Sequence, residues 1–223
     1  MTTPPALQID NLRFRYESSK ADAPWVVDLP NLKLDAGEQM LLTGRSGRGK
    51  STLLYLIAGL MEPTSGVIRV NGQDVHALRG EKRDLFRGRS IGMIFQTFNL
   101  LHGFSALENV LAALMFSAIK PTEHRARALA LLDRLGIDQP NRAAEQLSVG
   151  QQQRVAVARA VACEPVLVLA DEPTASLDPE NAAAAMDLIQ RACVEQGAAL
   201  LCTSHDPAMP ARFTRTASLE NAS

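Results

Sequence analysis

The sequence predicts an α/β fold, with an antiparallel β subdomain near its start and an inserted α-helical subdomain in its middle. Early in the chain, apolar and polar residues alternate with the period of half-buried strands, as in residues 7–16. Later apolar runs such as residues 166–170 are continuous, which is typical of strands covered by helices on both faces. Residues 97–150 have a helical composition instead, and we interpret them as an insertion into the core.

Length and composition favour one globular domain. The chain has 223 residues, of which 46% are hydrophobic and 21% are charged, so it can bury a substantial core. We expect residues 1–96 and 151–223 to form the core with its β subdomain, and residues 97–150 to form the helical insertion. The net charge of −1 provides no overall attraction to nucleic acid, so no nucleic-acid partner is expected.

The cysteines and the apolar runs bear on the cellular compartment. Cysteines at positions 163, 193 and 202 lack the spacing of paired or metal-binding cysteines, and we interpret them as buried hydrophobic residues in a reducing compartment.

The chain opens without a leader pattern. Its longest apolar run, residues 110–119, is shorter than the roughly 18 residues that cross a bilayer. Any membrane attachment is therefore expected to come through a partner.

Four strands are predicted in the first part of the chain. Three cover residues 7–16, 25–34 and 39–43, and a fourth over residues 67–70 leads into the tight turn Asn71-Gly72. We expect these strands to form a mixed sheet in which an antiparallel layer leans on the strand of residues 39–43.

A glycine-rich segment joins the third strand to a helix predicted over residues 50–58, with Gly59 at its end. The pattern Gly-x4-Gly-Lys-Ser between a strand and a helix is typical of a P-loop that binds nucleotide phosphates. Backbone N–H groups must point at phosphate oxygens there, with φ values and close approaches that a Cβ would obstruct. The segment consists of Gly44, Arg45, Ser46, Gly47, Arg48, Gly49, Lys50, Ser51 and Thr52.

The end of this segment carries groups for nucleotide binding. Lys50 would supply positive charge to the β- and γ-phosphates, and the helix that begins there adds its positive end. The Ser51 hydroxyl is placed to bind Mg²⁺.

A basic segment precedes the next predicted strand. Residues 79–89 carry five basic and two acidic side chains, which is typical of a solvated helix face, with contact to anionic lipid headgroups or a partner as the alternative. The strand is predicted over residues 90–95, and Gln96 stands at its end.

Three helices are predicted after Gln96. The first begins at a capping box formed by Ser105 and Glu108. The second covers about residues 123–135 and ends at Gly136, and the third is opened by residues 147–151, Leu-Ser-Val-Gly-Gln.

An acidic pair, Asp171 and Glu172, stands at the carboxyl end of the apolar strand of residues 166–170. Asp171 can hold Mg²⁺ directly or through water. Glu172 can orient or deprotonate the water that attacks a γ-phosphate. Beside a P-loop, the pair therefore predicts nucleotide hydrolysis.

The last predicted helix begins at Asp178 as N-cap and ends at Gly197. A final buried strand over residues 198–203 follows and ends at Ser204-His205-Asp206. In a doubly wound α/β core, sites form outside the carboxyl ends of the strands, where His205 would lie.

With these motifs in this order, the sequence resembles the ATP-binding subunit of ABC (ATP-binding cassette) transporters over nearly its whole length. Besides the P-loop and the acidic pair, the matches are Tyr16 with the aromatic that stacks on adenine, Gln96 with the Q-loop glutamine, Ser148, Gly150 and Gln151 with the signature motif, Asp178 with the D-loop, and His205 with the switch histidine. The resemblance implies a P-loop NTPase (RecA-like) core that binds ATP and Mg²⁺ and hydrolyses ATP.

The resemblance also implies roles for particular residues and a second subunit. It implies catalysis by Glu172, His205 and Gln96, and Mg²⁺ binding by Ser51, Gln96 and Asp171. It further implies a head-to-tail dimer, expected to be a homodimer, in which each ATP lies between the P-loop of one subunit and the signature motif of the other. The start of the helix at Ser148 suits this role, because its N–H groups offer an anion site.

Two of these residues have alternative interpretations. His205 is suited to a hydrogen bond with a γ-phosphate, although a histidine at a strand end can be purely structural. Tyr16 can be an ordinary strand aromatic, because Phe14 is its neighbour and spacing does not separate the two.

The sequence departs from the family pattern in two places. Val149 replaces the first of two signature glycines. This departure can change the geometry of the signature motif and the turnover rate. Helical φ and ψ angles at Val149 would cost little free energy. After Phe213 the usual closing Asp-Gly hairpin is missing, and we expect no C-terminal regulatory domain.

Within the family, residues 91–102, 105–110 and 170–174 look most like the lipoprotein-releasing, macrolide-exporting (MacB-type) and cell-division (FtsE-type) group. This likeness implies a separate membrane permease docked near residues 97–116, export or lipoprotein/peptide extrusion, and a peripheral position at the cytoplasmic face of the inner (plasma) membrane. A regulatory ATPase that couples its ATP state to a membrane or cell-wall partner and transports nothing is one alternative. An ABC ATPase acting on DNA or ribosomes is another, but it predicts a coiled-coil insertion or a second cassette, and the sequence has neither.

Overall fold

The chain folds into an antiparallel sheet and a parallel sheet with helices around them. The structure is a computed structural model that describes residues 3–17, 23–45, 47–175 and 177–219. In chain order the strands are β1 (Leu7–Phe14), β2 (Val27–Leu34), β3 (Gln39–Thr43), β4 (Ser65–Val70), β5 (Gln73–Asp74), β6 (Ile91–Ile94), β7 (Leu167–Asp171), β8 (Ala199–Ser204) and β9 (Arg215–Ser218). The helices are α1 (Lys50–Ile57), α2 (Gly80–Ser90), α3 (Ala106–Leu114), α4 (Pro121–Arg134), α5 (Val149–Val161) and α6 (Pro179–Gln196).

The antiparallel sheet has the strand order β2-β1-β4-β5. β1, one of its two inner strands, buries the apolar residues that alternate along it, including Leu7, Ile9 and Leu12. Asn71 and Gly72 connect β4 to β5 with φ values of 50° and 79°. Both values are positive, as in the tight hairpin turns that match the twist of paired strands, so the turn predicted here is confirmed.

The parallel sheet has the order β6-β7-β8-β3-β9, and it is separate from the antiparallel sheet. The expectation of a mixed sheet is therefore wrong, because β3 pairs in parallel with β8 and β9. The physical reason lies in β3 itself. Leu41 belongs to one buried cluster while Met40 and Leu42 belong to another, so both faces of the strand require apolar cover.

Two apolar clusters cover the two faces of the parallel sheet. One cluster joins Leu41 and Val168 of the sheet to residues of α3, α4, α5 and α6, so the predicted helical insertion packs directly on the sheet. The other joins the sheet to α1 and the antiparallel strands. The division into a core and an insertion at residues 97–150 stays a prediction.

Strand β9 was not predicted. Its four residues, Arg-Thr-Ala-Ser, show no apolar alternation, and they are exposed or only half-buried. They form a strand because they pair with the edge of β3, from Met40 with Arg215 to Thr43 with Ser218. A parallel edge strand thus follows Phe213, where the sequence lacks the closing hairpin.

Helix ends follow the local signals in the sequence. The capping box at Ser105 and Glu108 opens α3, as predicted. Glycines 59, 136 and 197 follow α1, α4 and α6 with φ values of 67°, 73° and 66°.

Helix α2 has no buried residue, as expected of a solvated face. In the described part of the chain, no helix has both the length and the apolar character needed to cross a membrane.

Candidate functional site

The carboxyl ends of three neighbouring strands bring the predicted site together. The order β7-β8-β3 places β8 between the other two. Thr203 of β8 is in register with Asp171, and Ser204 is in register with Thr43. The P-loop, the acidic pair and His205 therefore follow the same sheet edge, as the fold class predicts.

The P-loop backbone requires glycine at its last turn. Gly49 has a φ of +82° and is the N-cap of α1. A Cβ at this position would lie 2.4 Å from the Val26 carbonyl oxygen, so both the backbone angle and the close approach exclude a side chain. Arg45, Gly47 and Arg48 are exposed, and Ser46 lies outside the described residues.

Lys50 crosses the P-loop and is buried, with 5% of its surface exposed. Its Nζ donates to the carbonyl oxygens of Gly44 at 2.8 Å and Arg45 at 3.3 Å. The same atom lies 3.3 Å from Glu172 Oε1. A buried ammonium held this way has a defined position next to the acidic pair. Ser51 is exposed, and Thr52 is half-buried beside it.

Asp171 and Glu172 are held by one buried threonine. Thr203 Oγ1 donates to Asp171 Oδ1 at 2.8 Å and accepts from the Glu172 N–H at 3.1 Å. Glu172 has a φ of +43°, which is unusual for a residue with a side chain. Left-handed backbone at non-glycine residues is frequent at functional sites, where surrounding contacts impose it.

His205 completes the cluster around Glu172. Its Nδ1 is hydrogen-bonded to Glu172 Oε2, while the other oxygen of the carboxylate faces Lys50. The histidine ring is more than half exposed, whereas the Glu172 side chain is only 14% exposed. Glu172 thus lies between a cation and an imidazole at the mouth of the strand ends, where it can accept a proton.

Thr203 and Gln153 also belong to this region, although no sequence pattern predicted a role for either. Thr203 is fully buried and ends an apolar run two residues before His205, so its position was the available signal. Gln153 is 3% exposed, and its Nε2 donates to the Pro173 carbonyl oxygen at 3.1 Å. No local pattern identifies that contact, because its partner lies on another element.

Replacing Thr203 with valine is expected to lower ATP turnover by about 10- to 10²-fold, because a hydrogen bond to a charged group contributes roughly 1.5–3 kcal/mol. Valine keeps the shape but removes the hydroxyl that holds the Asp171 carboxylate and the Glu172 backbone N–H. Turnover and ATP affinity should be measured together, with Thr203→Ser as the matched control that retains the hydroxyl. Equal turnover of the two variants would contradict this role.

The predicted signature residues open α5. Ser148 Oγ accepts from the Gln151 N–H at 3.3 Å, and Gln151 Oε1 accepts from the Ser148 N–H at 3.0 Å. This capping box leaves the Ser148 hydroxyl proton and the first N–H groups of α5 available to another acceptor. Val149 is the first helical residue, so its substitution for glycine introduces no backbone strain.

In the described chain, the side-chain hydrogen bonds of Ser148 and Gln151 join these two residues to each other and not to the P-loop. Ser148, Val149, Gly150 and Asp178 line a groove of about 730 Å³. Another cavity, of about 480 Å³, has the P-loop residues Gly44 and Arg45 and the side chain of His205 in its lining.

Tyr16 and Gln96 lie at strand ends. Phe14 is 6% exposed and Tyr16 is 48% exposed, so the structure assigns Phe14 to the core and leaves the Tyr16 ring accessible. The two rings meet edge to face with centroids 5.1 Å apart. Gln96 is exposed just after β6. Contact of Tyr16 with adenine and of Gln96 with Mg²⁺ both stay predictions.

The donor set predicted for Mg²⁺ fits that ion. Ser51, Gln96 and Asp171 would each offer oxygen, which Mg²⁺ prefers, and Asp171 is buried with its carboxylate held by Thr203. Within the described ranges there is no group of three or more His, Cys, Asp or Glu residues that could hold a metal. Mg²⁺ sites that use one carboxylate together with substrate phosphates do not need such a group.

Comparisons with known proteins agree with this geometry. The family described as ABC transporter matches residues 27–175. The chain is similar to a dimeric, post-hydrolysis structure of the ATP-binding cassette MJ0796 bound to ADP and Pi, with 33% identity, a TM-score of 0.82, and 95% of this chain and 93% of that chain covered. A second dimeric structure of MJ0796, a bacterial ABC transporter cassette, is similar to the same extent. For cbiO1 from Clostridium perfringens, part of the ABC transporter complex cbiONQ, the identity is 29%, the TM-score is 0.77, and the coverage is 91% and 79%.

Proposed function

Because this chain belongs to the ABC transporter family and is an ATP-hydrolysing cassette of it, we propose that two copies close head to tail around two ATP molecules and drive a separate membrane permease. The observation that carries the proposal is that Ser148, Val149 and Gly150, at the start of α5, line a groove whose described lining includes no P-loop residue. In such a dimer, the P-loop of each copy would be completed by the signature residues of the other copy.

The start of α5 supports a phosphate contact from a second copy. The Ser148 hydroxyl proton and the first N–H groups of α5 form an anion site at the positive end of the helix. Gly150 has helical backbone, and a Cβ there would meet nothing within 4 Å. Glycine in a helix is less stable than alanine by roughly 0.5–1 kcal/mol, so its presence in open space fits the close approach of a ligand or partner.

The strand-end cluster supports the hydrolytic step. Lys50 offers charge to the β- and γ-phosphates, and Glu172 accepts a proton from the attacking water. His205, bonded to Glu172, can turn its exposed ring to the γ-phosphate. Asp178 and Gln151 lie on the signature side and would contact the second copy.

Mg²⁺ would be held by Ser51, Gln96 and Asp171. When bound, it would neutralise charge that develops on the phosphate oxygens. Thr203 keeps the Asp171 carboxylate in one orientation for this purpose.

The membrane partner is proposed to dock near residues 97–116. This segment contains the exposed apolar side chains Leu101, Phe104, Met115 and Phe116. Apolar patches on a surface favour protein contacts. The chain would then lie peripherally at the cytoplasmic face of the inner membrane and power export or lipoprotein/peptide extrusion of the MacB or lipoprotein-releasing type. Co-purification with the permease, lost in Phe104→Asp, would test this placement.

Dimer formation is tested in the Glu172→Gln variant, which should retain ATP. With Mg-ATP, we expect sedimentation to show a dimer, and adding Gly150→Asp should weaken its association at least about tenfold, because a carboxylate there repels the γ-phosphate. The Asp side chain has room in the isolated chain, so folding should persist. Ala126→Asp, at an exposed position of α4, is the matched charge control. Only monomers of Glu172→Gln at every protein concentration would refute the proposal.

A further inference from the structure

Arg159 connects α5 to the segment that follows Gln96. It lies in the last turn of α5, and its guanidinium donates to the carbonyl oxygens of Asn99 at 2.5 Å and Phe98 at 2.6 Å. Burial lowers the pKa of Arg159 from its ordinary value, and no carboxylate of the described chain pairs with it. Backbone carbonyls therefore take the place of a counter-ion. Losing these hydrogen bonds would cost more free energy than losing those of an exposed arginine, because the buried charge would be left without a partner.

The two acceptors belong to a strained turn. Phe98 and Asn99 have φ values of 60° and 46°, and consecutive left-handed residues with side chains are rare. The Phe98 N–H donates to the Phe95 carbonyl at 3.1 Å, so Gln96 occupies the second position of a tight turn. The Phe98 side chain is buried, which anchors the end of that turn. Such a conformation persists only where surrounding contacts impose it, and Arg159 supplies two of them.

Helix α5 contacts the segments that follow β6 and β7, the two strands after which Gln96 and Glu172 lie. Arg159 donates to the carbonyls of Phe98 and Asn99, at the end of the turn that contains Gln96. Gln153 donates to the carbonyl of Pro173, the residue after Glu172. The same helix begins at Ser148, where the proposed partner phosphate would bind. A rigid helix with these three contacts can transmit a displacement from its start to both segments.

We propose that Arg159 is a positioning residue that makes the placement of Gln96 depend on α5, and so on the nucleotide bound to Ser148. The proposal rests on the proposed function and adds a residue to it. Arginine is required because its planar fork donates to two carbonyl oxygens at once, whereas a lysine ammonium lacks that geometry.

The test compares Arg159→Lys with Arg127→Lys. Arg127 also donates to a carbonyl near the end of α5, that of Ala162, but it does not contact the turn after Gln96. We expect Arg159→Lys to lower kcat about tenfold while KM for ATP changes less than about twofold, because the defect is in placement rather than in nucleotide binding. Hydrogen exchange of residues 96–99 should accelerate in Arg159→Lys alone.

A double-mutant cycle separates positioning from general destabilisation. If Arg159 acts through Gln96, Arg159→Lys should lower kcat less than about twofold in a Gln96→Ala background. Unchanged kcat in Arg159→Lys, or a full tenfold loss in both backgrounds, would overturn the proposal. Neither result would affect dimer formation by Glu172→Gln, so a failure here is distinguishable from a failure of the proposed function.

Discussion

Replacing Glu172 with glutamine is expected to lower the ATP turnover number by about 10²- to 10⁴-fold, the usual contribution of a general base. Glutamine has the shape of glutamate, but its amide cannot accept the proton of the attacking water. The P-loop backbone and Lys50 are unchanged, so affinity for Mg-ATP should persist. Phosphate release and a nucleotide titration, performed on the same preparation, measure the two quantities separately.

A matched control for this variant is Glu81→Gln, which makes the same chemical change at an exposed position of α2. Its turnover should equal that of the unaltered chain. Undiminished turnover of Glu172→Gln would show that another group activates the water, and the role of the acidic pair would then need reassignment.

Replacing Lys50 with alanine is expected to weaken Mg-ATP binding by about 10- to 10²-fold, since hydrogen bonds to charged groups contribute roughly 1.5–3 kcal/mol. The ammonium is the buried cation beside the P-loop carbonyls and Glu172, so its loss removes charge that the phosphates would contact. Calorimetric titration with Mg-ATP measures the change in dissociation constant.

Lys82→Ala, on exposed α2, controls for the loss of one lysine charge and should leave the affinity unchanged. An identical dissociation constant for Lys50→Ala and the unaltered chain would refute the phosphate contact. The two variants are thus expected to differ in kind, because Glu172→Gln impairs turnover and Lys50→Ala impairs binding.

Elements with local signals were predictable from the sequence. The α6 helix was predicted to begin after Asp178 and to end at Gly197, and the structure places it at Pro179–Gln196 with both caps present. Strand β3 was predicted over residues 39–43 and is found there. Caps, turn glycines and apolar runs act on neighbouring residues, so they can be recognised without knowledge of the fold.

Pairing between distant strands was not predictable in the same way. Strand β9 has no apolar alternation, and it forms because the edge of β3 offers unpaired backbone groups. The separation of the two sheets likewise depends on which strand lies beside β3 in space.

The contacts that organise the candidate site are also long-range. Thr203 bonds to Asp171 across 32 positions, Gln153 to Pro173 across 20, and Arg159 to Phe98 across 61. A threonine, a glutamine and an arginine in these sequence contexts carry no pattern that distinguishes them from structural or surface residues.

The sequence by itself determined the P-loop, the acidic pair and the order of the helices and of the longer strands up to β8, because each depends on residue types at short spacings. Only the tertiary structure decided which strand ends lie side by side, how Glu172 comes to lie between Lys50 and His205, and which side chain holds the turn after Gln96. The physical reason is that these arrangements arise from packing and hydrogen bonds between residues far apart in the chain, which local patterns do not encode.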